Sequence, residues 1–218
     1  MQLVLLFTAV FSSLIVSFSP VKRTNEHPSL PPSPLADYST EWNDAKYLKC
    51  NTAADVRYMT DEEKKVVYIL NMARMNPVLF AKTVVNRYPE KGKWTINRSS
   101  YYFTSLMDTL QKLKPLKLLY PDSLCYKSAF CHAVTTGKNG SVTHERVTDK
   151  CKKEEYFNGE CCHYGNSTAV DILLSLLIDE NVPSLGHRYV CLGSFNKLGV
   201  SIQPHIAYKS TAVLDFKY

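Results

Sequence analysis

The sequence changes period once, near its C-terminal end, and that change limits the folds open to it. Leu198, Val200 and Ile202 alternate with their neighbours, and Tyr208, Ser210, Ala212, Leu214 and Phe216 do so again. Gln203-Pro204-His205 stands between the two runs. Two alternating runs with a short break predict a terminal β-hairpin. Upstream, the apolar residues recur at helical spacing. Thr60-Asp-Glu-Glu63 reads as a capping box with acids in the first turn. Val66, Val67, Ile69, Leu70 and Ala73 then predict a helix over about 61–75. Pro77 opens a second helix through about Arg87. A third is expected over 99–113, on the stripe Leu106, Leu110 and Leu113. A fourth runs from an Asp122 cap to about Thr136, and a fifth covers 168–179 with Val170, Leu173, Leu174 and Leu177. The stretch 137–164 shows neither period and reads as loop-rich. Helices first and strands late predict an α+β fold, with helices packed on a small antiparallel sheet.

The first nineteen residues carry no charge and are apolar from Leu3 to Phe18 apart from Thr8, Ser12, Ser13 and Ser17. This is the pattern of a signal peptide, 1–19. No other stretch is long and apolar enough to span a bilayer, so the mature chain is not expected to be an integral membrane protein. Five of the eleven prolines fall between Pro20 and Pro34, and residues 20–50 read as a Pro-rich linker. The domain proper is placed at 51–218. The expected location is extracellular, or periplasmic in a Gram-negative host. A net charge of +6 comes from short basic clusters mixed with acids, which excludes a nucleic-acid-binding stripe.

Export permits disulfides. The seven cysteines are 50, 125, 131, 151, 161, 162 and 191, an odd number that leaves at least one unpaired within the chain. Cys50 is a candidate tie between linker and domain. The neighbours Cys161 and Cys162 cannot easily bond to each other, so each is expected to staple to a different partner, such as Cys151 or Cys191. A zinc knuckle or thioredoxin-type site is excluded by the lack of CxxC, and a zincin by the missing second histidine after His144-Glu145. Cys131-His132 is not a nucleophilic dyad, because adjacent helical side chains diverge by about 100°. His163 reads as a surface residue. His144, Glu160 and His187 each follow a glycine or a Gly-rich turn. Two imidazoles and a carboxylate suit a divalent ion such as Zn²⁺, or acid–base work on a bound water.

Five segments, taken in order, resemble the CAP superfamily (the SCP domain of cysteine-rich secretory, antigen 5 and pathogenesis-related 1 proteins), closest to its bacterial-type branch. They are Thr60-Asp-Glu-Glu…Asn71-Met-Ala-Arg74-Met-Asn-Pro77, Asp122-Ser-Leu…His132 leading to His144, Gly159-Glu160, Gly186-His187-Arg188, and the paired Gly199-Val200 and Ala212-Val-Leu-Asp215-Phe216. The resemblance covers about 60–218. It implies a three-layer α-β-α sandwich around a central cleft, with metal ligands His144, Glu160 and His187 and a second acid at Asp179 or Glu180, of which Asp179 is preferred. It also implies that a disulfide from Cys161 braces the loop where the family usually has an amide. The expected function is a secreted protein whose His/Glu cleft binds a divalent metal, with zinc the candidate, and a small ligand. The alternatives are a metal- or Glu160-assisted hydrolase, and a module that binds lipid or a protein partner with the cleft incidental. No catalytic residue is assigned. Asn71, Arg74 and Arg188 are expected to be structural.

Overall fold

A computed structural model of the protein describes residues 32–92 and 95–218. The expected signal peptide and the start of the expected linker lie outside those residues. Helix α1 (Asp61–Met75) begins with the capping box: the Thr60 amide donates to Glu63 at 2.7 Å, and the Glu63 amide to the Thr60 hydroxyl at 3.3 Å. Glu63 is nonetheless fully buried, because its other oxygen accepts the Ile202 amide at 2.8 Å and fastens the helix start to the sheet. Asn76 caps the next helix, α2 (Pro77–Phe80). A π-helical stretch, Ala81–Val85, carries the chain directly into α3 (Asn86–Lys91), past the expected end at Arg87. Then follow α4 (Tyr101–Lys112), β1 (Tyr120–Pro121) and α5 (Ser123–Asn139). The Asp122 carboxylate caps α5, which runs through Gly137 and stops at Gly140, at φ +76°. The order closes with α6 (Asp149–Glu154), β2 (Gly159–Tyr164), α7 (Ala169–Ile178), α8 (Gly186–Cys191), β3 (Lys197–His205) and β4 (Lys209–Lys217).

The sheet order is β1-β3-β4-β2. The expected hairpin is its centre, with β3 and β4 antiparallel from Lys197↔Lys217 to His205↔Lys209. β2, in the stretch expected to be loop, adds antiparallel to β4 with Glu160 opposite Asp215. β1 pairs parallel to β3 over two residues, so the sheet is mixed rather than wholly antiparallel.

Alternation along the strands sorts side chains into two layers. Cys161, Leu198, Val200, Ala212, Leu214 and Phe216 join the large core with α1 and α7. Val213 and Cys162 pack with Ala129 and Ala133 of α5 on the opposite face. Helices therefore cover both faces, an α+β sandwich. Helix α5 lies unusually close to β3. A Cβ on Gly199 would collide with the backbone of Cys125 and Tyr126, and one on Gly137 with the Pro204 carbonyl. Glycine is needed at those two contacts for want of space.

The linker expectation needs correction for its described part. Residues 32–50 pack into the core: Leu35, Trp42, Tyr47 and Cys50 are buried, with short 3₁₀ turns at Thr40–Asn43 and Ala45–Cys50. Trp42 donates its indole N–H to Thr83 at 2.9 Å and packs against the Tyr47 and Phe80 rings. Proline density masked a segment whose aromatic residues have a hydrophobic surface to bury.

The three polar helix residues do structural work. Asn71 donates to the Cys50 and Leu119 carbonyls and accepts the Leu119 amide. Arg74 donates to the carbonyls of Lys117, Cys191, Gly193 and Phe195. Arg188 spans Leu177, Ile178 and Tyr102 carbonyls and the Ser105 hydroxyl rather than forming a salt bridge. Among the described residues, no helix is long and apolar enough to cross a membrane.

Candidate functional site

His144 lies in the irregular stretch between α5 and α6, Glu160 is the second residue of β2, Asp179 follows α7, and His187 is in the first turn of α8. The fold brings all four to one region. The His144 and His187 rings face each other, with centroids 6.2 Å apart and planes inclined by 29°. Each imidazole is tied at Nδ1 to its own carboxylate: His144 to Glu160 Oε1 at 2.8 Å, and His187 to Asp179 Oδ1 at 2.7 Å. A carboxylate only accepts, so Nδ1 carries a proton on both rings, and in the neutral imidazole Nε2 keeps its lone pair. The two acids are thus turned to the backs of the histidines rather than to a point they share.

Asp179 has a second task. Its Oδ2 accepts the backbone amides of His187 at 3.0 Å and Arg188 at 3.4 Å, anchoring the start of α8. It adopts φ +60°, a left-handed conformation that Asp tolerates better than most residues. Glu180, the other acid the sequence offers, accepts a hydrogen bond from the Ser100 hydroxyl at 3.2 Å and lines a pocket together with Asp179 and His187.

Two adjoining pockets, each about 270 Å³, share Cys162, Tyr164 and His187 in their linings. One adds Val142, Thr143 and His144; the other adds Asp179 and His163, among others. Each is near the small end of ligand pockets, about 300–1,000 Å³. His163, expected at the surface, is buried in the second pocket's wall and accepts the Asn166 amide at Nε2. Burial lowers its pKa to about 4, so it is neutral.

Behind the cleft is a charged cluster that alternation concealed. Glu160 and Asp215 are cross-strand partners and both are buried, as is the Arg146 side chain that lies between them. Arg146 Nη2 is 2.6 Å from Glu160 Oε2, off the line of a directed hydrogen bond, and 3.4 Å from Asp215 Oδ2. Burial opposes ionisation of Glu160, but the contacts with His144 and Arg146 outweigh it and lower the carboxyl to about 2. Burial and repulsion from Glu160 push Asp215 the other way, well above the usual carboxylate range. For His144 the hydrogen bond to Glu160 outweighs burial and raises the pKa.

His132 of α5 and Cys162 of β2 were not foreseen as site residues. A Glu160 oxygen, a His132 ring nitrogen and the Cys162 sulfur all lie within 4.8 Å of one another, and all three residues are buried. This group could hold a metal ion. His132 Nε2 is 2.8 Å from the Thr143 carbonyl, while its buried Nδ1 has no hydrogen-bond partner. An orphaned buried acceptor of this kind costs about 1–3 kcal/mol. Cys162 Sγ is also 3.7 Å from His144 Nδ1. That nitrogen already donates to Glu160, so it is no base for the thiol, and burial pushes the thiol well above its ordinary value. A Cys162 nucleophile does not fit.

The cysteine expectations change too. The disulfide is Cys131–Cys151, joining α5 to α6. Cys161 and Cys162 are free, as are Cys50, Cys125 and Cys191. Strand alternation sends Cys161 and Cys162 to opposite faces, so no single staple could serve them. Cys161 Sγ rests 3.9 Å from Cys191 Sγ, and Cys50 Sγ rests against Met75 Sδ.

No family model matches the chain, and neither does any curated protein. Among solved structures, an outer surface protein from Borrelia burgdorferi is similar with a TM-score of 0.38 and 22% identity, over 56% of this chain and 96% of that one. A likeness that slight carries no argument about fold or function.

Proposed function

We propose that the protein is a secreted binding protein of the CAP type whose cleft takes a divalent cation, zinc by preference, on the Nε2 atoms of His144 and His187. The observation that carries this reading is the pair of facing imidazoles, each backed at Nδ1 by its own carboxylate. Carboxylate–histidine backing fixes the tautomer, aims Nε2 outward and makes it a stronger ligand. Zn–N bonds of about 2.0–2.1 Å at a tetrahedral angle place two ligating ring centroids roughly 5 Å apart, so the rings need to close by about 1 Å from 6.2 Å. Two protein ligands leave coordination positions open to a small molecule in the adjoining pockets. Glu160 and Asp179 then serve as orienting groups rather than direct ligands. Export is supported by the apolar N-terminal sequence and by the Cys131–Cys151 disulfide.

The hydrolase reading is weaker. A carboxyl held near 2 is a poor general base at neutral pH, and both Glu160 oxygens already contact cations or donors. Isothermal titration with Zn²⁺ tests the proposal. Wild type should bind, and His144→Ala and His187→Ala should each weaken binding by more than about tenfold. Equal binding by all three proteins rules the site out.

A further inference from the structure

The cleft engages Glu160 Oε1, while the buried Oε2 meets Arg146 without a directed hydrogen bond. There, Thr143 offers only a carbonyl to His132, so Nε2 must donate and Nδ1 is left as a bare lone pair. That nitrogen is buried and unpartnered on a residue 1% exposed. A ring nitrogen of this imidazole lies within 4.8 Å of the sulfur of Cys162, which is in no disulfide, and of a Glu160 oxygen. We propose that His132 Nδ1, Cys162 Sγ and the Glu160 carboxylate form a second metal site, distinct from the His144–His187 pair, that selects a thiophilic divalent cation.

The donor set fits. One thiolate, one imidazole and one carboxylate suit Zn²⁺, Co²⁺ or Cd²⁺ and do not suit Mg²⁺ or Ca²⁺, which prefer oxygen alone. Bonds of about 2.0–2.3 Å in a tetrahedral site set donors roughly 3.4–3.8 Å apart, so the three side chains need to draw together by about 1 Å. Charge also fits. Arg146 faces two carboxylates, Glu160 and Asp215. A Cys162 thiolate adds a second anion beside Glu160, so that the thiolate and that carboxylate together offset the charge of a dication. Binding forms the metal–sulfur bond and releases the thiol proton to solvent; no electron is transferred. Cys162 lines both cleft pockets, which gives an ion a route to the site.

Co²⁺ titration of the full chain without reductant, under anaerobic conditions, tests this, because only thiolate ligation produces a near-ultraviolet sulfur-to-cobalt charge-transfer band. The band should appear in wild type and saturate by two equivalents, since the cleft pair also takes one cation. It should vanish in Cys162→Ser, which keeps the side chain's size, and its midpoint should rise by more than about tenfold in His132→Gln. It should persist in His187→Ala, which disables only the cleft site, and in Cys161→Ala and Cys191→Ala, which remove the other close thiol pair. Circular dichroism confirms that each variant is folded; a Cys162→Ser that does not fold is replaced by Cys162→Ala. No band in wild type, a band surviving loss of Cys162, or one lost with His187 overturns the proposal.

Discussion

Asp179→Ala is the most informative single change, because one carboxylate holds both a candidate ligand and the helix that carries it. The substitution removes the 2.7 Å bond to His187 Nδ1 and the 3.0 Å bond from the His187 amide. The contact with the Arg188 amide, at 3.4 Å, is long and counts for little. A hydrogen bond to a charged group is worth about 1.5–3 kcal/mol, and two sharing one carboxylate do not add fully. Alanine is also less at ease than aspartate at φ +60°. The expected loss is roughly 2–4 kcal/mol. In a domain of this size that is a fall in melting temperature of roughly 6–12 °C. Freed from its partner, the His187 ring loses its aim, and Zn²⁺ affinity should drop by about 10–100-fold. Asp179→Asn keeps an acceptor for the helix amide and tolerates the left-handed backbone, so its stability loss should be less than half as large. Calorimetric melting and zinc titration of the two variants read both effects. An Asp179→Ala protein that melts and binds like wild type would refute the reasoning.

Arg146→Met strands Glu160 and Asp215 opposite one another without a cation. Denaturant unfolding should show a loss of about 3–5 kcal/mol, and a loss under about 1 kcal/mol would contradict the ion-cluster account. His163 gives a pH signature. Its folded pKa of about 4 lies below the ordinary 6.5, so the unfolded chain takes up a proton first. The stabilisation is present above 6.5 and is lost as pH falls toward 4, up to roughly 3 kcal/mol. His163→Gln should flatten that part of the stability–pH curve; an unchanged slope counts against the burial argument. Trp42→Ala should cost about 3–5 kcal/mol in unfolding experiments if residues 32–50 belong to the core. A negligible cost would restore the linker reading.

Local chemistry was legible where one residue decided it. Thr60 and Asp122 marked helix starts because their side chains satisfy amides a few residues on, and Leu198–Phe216 marked the hairpin because only one period fits it. Strand β2 was not legible. Glu160, Cys161, Cys162 and His163 are all buried, so polar and apolar residues do not alternate, and the pattern read as loop. The site shared that fate. His144, Glu160, His187 and Asp179 stood out through their neighbours and a family resemblance, yet nothing local showed that each acid would turn to the back of a histidine. Arg146, two residues after His144, and Asp215, opposite Glu160, depend on strand register, which becomes fixed only when β2 joins the sheet. In sequence His132 adjoins Cys131, although its relevant neighbour in the fold is Cys162, far along the chain. The segment 32–50 was misread because proline content outweighed Leu35, Trp42 and Tyr47.

Crystals of the protein grown with Zn²⁺ and measured on both sides of the zinc absorption edge test the central claim most directly. The account predicts an anomalous peak within bonding distance of Nε2 on both His144 and His187, with Glu160 and Asp179 still on the Nδ1 atoms. Electron density showing the two rings turned apart, with no zinc signal in the cleft, would contradict it.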